Sequence, residues 1–345
     1  MSRVAGTALV RGVAVCGPPR HILSGMTRNL SGIVPGVTVM PSHEYRDALR
    51  VSGHGSGRGA GLRWTYKDLG SHGNALANGL TELGLKSGDS VAIMYRTGPE
   101  WLVLSVAAMQ LGLLLIPTDA ASLKSTMSNA AALIYDGSIA GAHDAVLSTM
   151  PSLASNSNLV TGRPFYCQEF PKLKTAICVS PSSTLGGIHS FSDCLVYARQ
   201  TGDKAGHRSP SVSTDKAIFP GMTVSDAVKK ATGLRSALGL DGDSLVFAAS
   251  ENLESLTLAM VAAASSTCTL VLPPRDVKNY LSVISRENCT AVIGDETALA
   301  TVLACPKDGD LLRVQQVVVN SGGNASSSIA KTAGSVFASA KIATL

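Results

Sequence analysis

A glycine pattern, Gly55-x-Gly57-x-x-Ala60 inside "SGHGSGRGAG", could wrap the pyrophosphate of a dinucleotide if a buried strand led into it and a helix followed. The residues before it do not make a convincing buried strand, and Trp64 opens a folded segment soon after, so the stretch reads as a linker. Metal chemistry would need converging ligands. The histidines, at 21, 43, 54, 72, 143, 189 and 207, never form HxH or HExxH, so no metal site is expected. The seven cysteines, at 16, 167, 178, 194, 268, 289 and 305, are odd in number and never spaced CxxC, which argues against a thiolate zinc site or a disulfide framework and for a reducing compartment. No basic neighbour pattern marks an activated thiolate and no GxSxG elbow occurs, so the pattern assigns no catalytic, cofactor-binding or metal-binding residue. Asp89 and Asp243 each follow a glycine and could suggest paired carboxylates, but a turn before a strand accounts for both.

The elements that carry these residues come twice. "LGLKSGDSVAI" (83–93) nearly recurs as "LGLDGDSLVF" (238–247). Before the first phrase, Leu69, Leu76, Leu80 and Leu83 are spaced to share one helix face. After it come the strand "SVAIMY", an apolar helix from Pro99, and a strand "LLLIP" ending at Pro117. Around the second phrase the order is the same: helix "TVSDAVKKATGLRSAL", Gly242-Asp243, strand "SLVFAA", apolar helix "LESLTLAMVAAA", strand "CTLVLPP". The match continues past the prolines as a further helix and strand in each copy. Helices alternating with short apolar strands imply crossover connections, so the expected fold is α/β: two similar subdomains with mostly parallel sheets flanked by helices.

The expected organisation follows. Residues 1–62 form an Arg-rich, Gly-rich tail for targeting or partner docking, 63–150 the first subdomain, and 151–214 a Ser/Pro-rich connection. That connection carries a strand at 173–180, a short helix at 190–200 and an exposed loop after it. Residues 215–325 form the second subdomain and 326–345 a small-residue helix or tail.

Charge is uneven along the chain. Of the net +5, residues 1–63 contribute +6, from eight Arg against Glu44 and Asp47, and the first 43 residues contain no carboxylate. Arg3, Arg11, Arg20 and Arg28 scattered among Ser, Gly, Val and Leu are the composition of a mitochondrial targeting segment. No Lys/Arg cluster with interleaved aromatics occurs, so no nucleic-acid partner is expected. The sequons at Asn29, Asn288 and Asn324 are read as accidental, since no secretory signal precedes them. The longest apolar run, "WLVLSVAAMQLGLLLIP" (101–117), is short for a membrane span, holds Ser105 and Gln110, and predicts a buried helix turning at Gly112 into a buried strand.

Several of these residues resemble the adenylate-forming acyl-CoA synthetases and ligases, the AMP-binding enzymes. Thr65-Tyr66-Lys67-Asp68-Leu69 matches the family's opening Thr-Tyr-x-x-Leu helix, and Leu83 to Val91 its Leu-Gly-x-x-x-Gly-Asp-x-Val. Pro-Glu-Trp at 99–101, Gly112 and Pro117 follow in family order, Phe191-Ser192-Asp193 resembles its Ser-Phe-x-Glu helix, and "LRVQQVVVNSGG" (312–323) the strand entering its Ser-Gly-Gly turn. The resemblance covers about residues 63 to 325. It implies that Ser321, Gly322 and Gly323 could line a vestigial acyl or pantetheine pocket; two glycines permitting a tight turn after a buried strand is the simpler reading. Thr201-Gly202-Asp203 spells the family's ribose-binding tripeptide but stands before the phosphate loop instead of after it.

What departs from the family decides the functional expectation. There, a strand beginning Asp-x-Ala runs into a Thr-Ser-Gly-Thr-Thr-Gly-x-Pro-Lys-Gly loop that holds the ATP phosphates; here Asp215 to Phe219 passes straight into "PGMTVSDAV". Joining a carboxylate to the α-phosphate of ATP brings two anions together and needs backbone N–H groups, hydroxyls and a cation at that place. Losing one comparable donor typically lowers a rate by about 10²- to 10³-fold. The family's adenine and magnesium motifs and its small carboxy-terminal domain lie beyond the Ser-Gly-Gly turn, and this sequence ends 22 residues after Gly323. The expectation is a pseudoenzyme without cofactors, serving as a structural accessory subunit of a large mitochondrial assembly, with a respiratory-chain complex or ATP synthase favoured as host. It would dock through 1–62 and 326–345, with no transmembrane segment, at the periphery of a membrane complex. The alternatives are an acyl-CoA or fatty-acid binding module that keeps the family pocket, and one half of a split ligase.

Overall fold

The computed structural model describes residues 33, 35, 37, 39, 41–51, 61–155, 165–179, 187–197, 214–250, 252–273, 279–306, 311–320 and 327–344. Two helices open on the same local device. In α1 (Tyr66–Glu82) the Thr65 hydroxyl accepts from Asp68 N while Asp68 accepts from Thr65 N, and in α6 (Val224–Leu238) Thr223 and Asp226 repeat this reciprocal cap. Such a cap satisfies two of the N–H groups that a helix start leaves over, and its recurrence marks the same point in each copy.

From each cap the chain follows one path. The first copy continues through β3 (Ser90–Met94), α2 (Pro99–Leu111), β4 (Leu114–Pro117), α3 (Leu123–Met127), β5 (Ala132–Tyr135), α4 (Ala142–Thr149), α5 (Ser152–Ser155), β6 (Thr175–Cys178) and β7 (His189–Ser190). In the second come β10 (Leu245–Ala249), α7 (Leu253–Ser266), β11 (Thr269–Leu272), α8 (Tyr280–Glu287), β12 (Ala291–Asp295), α9 (Glu296–Leu303), β13 (Gln316–Asn320), α10 (Ser327–Val336) and β14 (Lys341–Thr344). The first sheet has the order β4-β3-β5-β6-β7 and the second contains β11-β10-β12-β13-β14, all parallel. The expected apolar helix and strand around Gly112 are α2 and β4, with Gly112 ending α2 at φ +69°, where a side chain would be strained.

Strand alternation sorts the side chains into layers. Ile93, Leu115, Ile134 and Ile177 of the first sheet, and Val246, Leu270, Ile293 and Val318 of the second, share one core with α1, α2, α6 and α7. Opposite faces pack outward: Ala92, Leu133 and Ala176 meet Leu123, Met127 and Val146 of α3 and α4, while Phe247, Val292 and Val317 meet Leu281, Leu299 and Ala333 of α8, α9 and α10. The architecture is therefore helices, sheet, helices, sheet, helices. Being apolar all round, α2 and α7 suit the middle layer, where Trp101 to Gln110 and Leu256 to Ala264 are buried throughout.

Three regions differ from the sequence reading. Asp47–Val51 (β1) and Leu62–Thr65 (β2), on the tail side of or across the boundary at 62, form an antiparallel pair, and β1 lies parallel to β11 in the second sheet. Buried Leu49 and Ala48 account for it, since alternation over so short a run amid Arg residues gives little strand signal. The connection expected at 151–214 supplies β6 and β7 to the first sheet, and the helix expected at 190–200 is only a 3₁₀ turn at Ser192–Cys194. The segment expected as a helix or tail at 326–345 holds α10 and then a strand, β14, paired with β13.

Candidate binding crevice at the strand ends

In an open parallel sheet, ligands bind outside the carboxyl ends of two neighbouring strands whose connections leave in opposite directions. Here β10 connects through α7 to β11 on one side, and β12 through α9 to β13 on the other. The crevice between β10 and β12 is lined by polar residues from the strand ends. Asn252 caps α7, accepting from Glu254 N at 2.8 Å, and Asp295 caps α9, its Oδ1 accepting from Ala298 N at 2.8 Å. Ser250 Oγ donates to Asp295 Oδ2 at 2.6 Å, and Asn252 N–H reaches the same oxygen at 3.3 Å and Ser250 Oγ at 3.1 Å. Asn320 stands beside Asp295 in the β12–β13 register. Ser250, Asn252 and Asp295 thus bond one another across the crevice, and Asp295 brings a carboxylate to it.

The first sheet has the corresponding crevice between β3 and β5. Buried Asp136 follows β5, donates its N–H to Met94 O at 2.9 Å, and accepts at Oδ1 from Ser138 N at 2.9 Å and Ser138 Oγ at 2.7 Å. Tyr95, following β3, donates to Glu100 Oε2 at 2.5 Å. Asp136 and Asp295 close the equivalent phrases "ALIYD" and "AVIGD". Neither was assigned from the sequence. Carrying the repeat register through to the third strand of each copy would have found both.

The place where the resemblance implies a phosphate loop is a tight hairpin. Strands β8 (Ala217–Phe219) and β9 (Met222–Thr223) pair antiparallel across Pro220-Gly221, with Phe219 opposite Met222 and Gly221 at φ +79°. Ile218, Phe219 and Met222 are buried. Of the two turn residues Pro220 has no N–H, so the turn itself offers Gly221 N–H alone, with no hydroxyl.

Other candidates resolve into structural roles. Asp89 Oδ2 accepts from Lys86 N at 2.7 Å and pairs with Lys174 Nζ at 2.6 Å, while Asp243 lies 3.8 Å from Arg46, whose Nη1 donates to Gly242 O at 2.9 Å. These two turns tie down neighbouring segments, and the carboxylates belong to separate copies. Cys167, Cys178, Cys194, Cys268 and Cys289 are buried; burial pushes the thiols of Cys194, Cys268 and Cys289 up to about 12, which leaves them unreactive. His72 Nδ1 meets Tyr197 OH at 2.6 Å and His143 Nδ1 meets Tyr135 OH at 3.0 Å. Among the described residues no group of three or more His, Cys, Asp or Glu could hold a metal ion. Ser321, Gly322 and Gly323, the Gly55–Ala60 pattern and Thr201-Gly202-Asp203 lie outside the described residues; Ser321 directly follows Asn320 at the end of β13.

Residues 42–134 match the family model described as "AMP-binding enzyme". This segment is similar to the AMP-binding enzymes. A rat protein named mitochondrial acyl-coenzyme A synthetase ACSM4 is 28% identical over 194 residues, covering 54% of this chain and 29% of its own length. The mouse mitochondrial acyl-coenzyme A synthetase ACSM3 is 36% identical over 106 residues, covering 29% of this chain and 18% of the relative. The matches thus span less than a third of these relatives. In three dimensions, the chain resembles a putative long-chain-fatty-acid CoA ligase from Rhodopseudomonas palustris with a TM-score of 0.64 at 16% identity, covering 86% of this chain and 70% of the other. A coronafacic acid ligase from Pectobacterium brasiliense gives 0.65 at 13% identity, covering 87% and 58%. At such identities the likeness concerns the fold: the α/β fold expected from the sequence, with mostly parallel sheets flanked by helices, is observed and matches that of these ligases.

Proposed function

We propose that this chain is a mitochondrial acyl-CoA synthetase-like protein that does not adenylate a carboxylic acid and acts as a structural subunit of a larger assembly. The β8–β9 hairpin carries the inactive part of this reading. A two-residue Pro220-Gly221 turn between buried Phe219 and Met222 occupies the place of a phosphate-holding loop, and neither a hydroxyl nor a cation stands in the turn. The mitochondrial part is supported by the names of the relatives and by the Arg-rich composition of residues 1–63.

Two measurements test it. The full chain, incubated with ATP, magnesium and a panel of aliphatic and aromatic carboxylic acids, is expected to give no pyrophosphate exchange; exchange above background with any acid overturns the inactive reading. Native electrophoresis of gently solubilised mitochondria from the source cells is expected to place the chain in a high-mass species at fixed stoichiometry. Migration as a free chain overturns the subunit reading and favours the acyl-CoA binding alternative, which predicts saturable binding of an acyl-CoA at millimolar concentration or below.

A further inference from the structure

The two copies trade hairpins. By sequence β1–β2 belongs to the first copy, since β2 runs directly into the Thr65 cap of α1, yet β1 pairs with β11 through Leu49, Arg50 and Val51 against Leu270, Val271 and Leu272. By sequence β8–β9 belongs to the second copy, since β9 runs into the Thr223 cap of α6, yet β8 packs beside β4, the edge of the first sheet. The strands β11 and β4 are equivalent, each second in its copy after the Gly-Asp turn. Each hairpin thus lies at the same edge of the other copy's sheet.

Further contacts follow the exchange in both directions. From the first arm, Thr269 Oγ1 donates to Asp47 O at 2.8 Å, Arg46 bonds the Gly242 carbonyl, and the Tyr66 hydroxyl reaches Ala263 O at 3.0 Å and also Cys268 O. From the second, Phe219 lies against Trp101, ring centroids 6.3 Å apart, and the Lys216 stem lies along Gly112. Between the arms, α2 meets α7, where Trp101 Nε1 donates to Leu253 O at 3.2 Å and to Thr257 Oγ1 at 3.1 Å, and Ser105 Oγ lies 3.1 Å from Thr257 Oγ1. Equivalent helices facing each other, with equivalent arms crossing in opposite directions, form an isologous arrangement of the kind that closes a two-fold dimer.

We propose that the face between the two copies is a self-sufficient interface of homodimer type, whose arm exchange and helix packing hold residues 33–197 and 214–344 together without the peptide connection through 198–213. Its partner chemistry is that of a second α/β copy: an open β4- or β11-type edge to take a hairpin, and an apolar helix to cover α2 or α7. An isolated copy would expose that edge and that helix together, which are the two surfaces a lone sheet must cover.

The test uses the whole chain with a specific protease recognition sequence inserted between Gly206 and His207. After complete cleavage, the expected result is that both fragments co-elute at the mass of the whole chain down to roughly 10 nM, the range of stable interfaces. They are also expected to unfold in one transition. Separation of the fragments on dilution, precipitation of either one, or two independent transitions overturns the proposal. A second measurement needs no cut: in the intact chain the amides of Leu49 to Val51 are expected to exchange with solvent as slowly as those of Leu270 to Leu272. Rapid exchange of β1 beside a protected β11 shows the arm to be dispensable and overturns the exchange as the basis of the interface.

Discussion

Trp101 Nε1 lies 3.1 Å from Thr257 Oγ1 across the packing of α2 on α7, and both residues are wholly buried. The indole therefore spends its one donor on the other copy. Thr257 in turn donates to Leu253 O at 2.9 Å and meets Ser105, so the centre of a largely apolar layer holds a small, satisfied polar network. In low-dielectric surroundings such a network fixes the relative placement of two helices more sharply than apolar packing does.

Trp101→Phe removes the donor and part of the ring, and a loss of about 3 kcal/mol is expected, because a buried hydrogen bond and buried ring area are both forfeited. Thr257→Val is expected to destabilise by about 1–2 kcal/mol. In the double variant the two effects should fall short of additivity by about 1 kcal/mol. Urea unfolding of the four proteins checks this, and strict additivity would remove the cross-copy bond as a coupling element.

A contrast between two glycines tests the packing of the first copy. A Cβ on Gly79 of α1 would strike the Cys194 carbonyl of the 3₁₀ turn, a backbone atom that cannot rotate away, so Gly79→Ala is expected to destabilise by about 1–3 kcal/mol despite the better helix former. Gly233 of α6 has nothing within 4 Å of an added Cβ, and Gly233→Ala is expected to stabilise by about 0.5–1 kcal/mol. Thermal melts of both variants decide the sign.

Why the sequence showed some of this and hid the rest follows from the range of the forces involved. Periodic leucines and the doubled Gly-Asp phrase are local signals, so α1, α6, β3 and β10 and the two-copy plan were legible. The doubled Thr-x-x-Asp caps are equally local, yet they went unassigned in the sequence. The destination of β1 was not: pairing of Leu49 with Leu270 joins residues far apart in the chain, and nothing within Asp47–Val51 names its partner. Residue type also hid the crevice. Ser250, Asn252 and Asp295 are common turn and cap residues, and only the strand order brings them to one switch point.

Thr175 offers a direct test of an unmet hydrogen bond. It lies at the start of β6 with its side chain fully enclosed, and among the described residues its Oγ1 has no hydrogen-bond partner. An orphaned hydroxyl carries its desolvation penalty without return, so Thr175→Val, which keeps the shape, is expected to raise stability by about 1 kcal/mol. A lowered urea midpoint would show that the hydroxyl finds a partner, such as a buried water.

His189, on the edge strand β7, gives a pH dependence of defined sign. Its Nε2 is buried with no hydrogen-bond partner among the described residues, and desolvation lowers its pKa from the ordinary 6.5, partly countered by the nearby charge of Asp193. The folded state therefore holds the neutral ring more strongly than the unfolded chain does. Above pH 6.5 both states are neutral at this site and its contribution is complete; as pH falls through 6.5 the unfolded state takes up the proton first, and stability is lost. Between about pH 7.5 and about pH 5, the melting temperature of the unaltered protein is expected to fall further than that of His189→Gln, which cannot titrate. Equal slopes in the two proteins would assign the acid sensitivity to other groups and place the His189 ring in water.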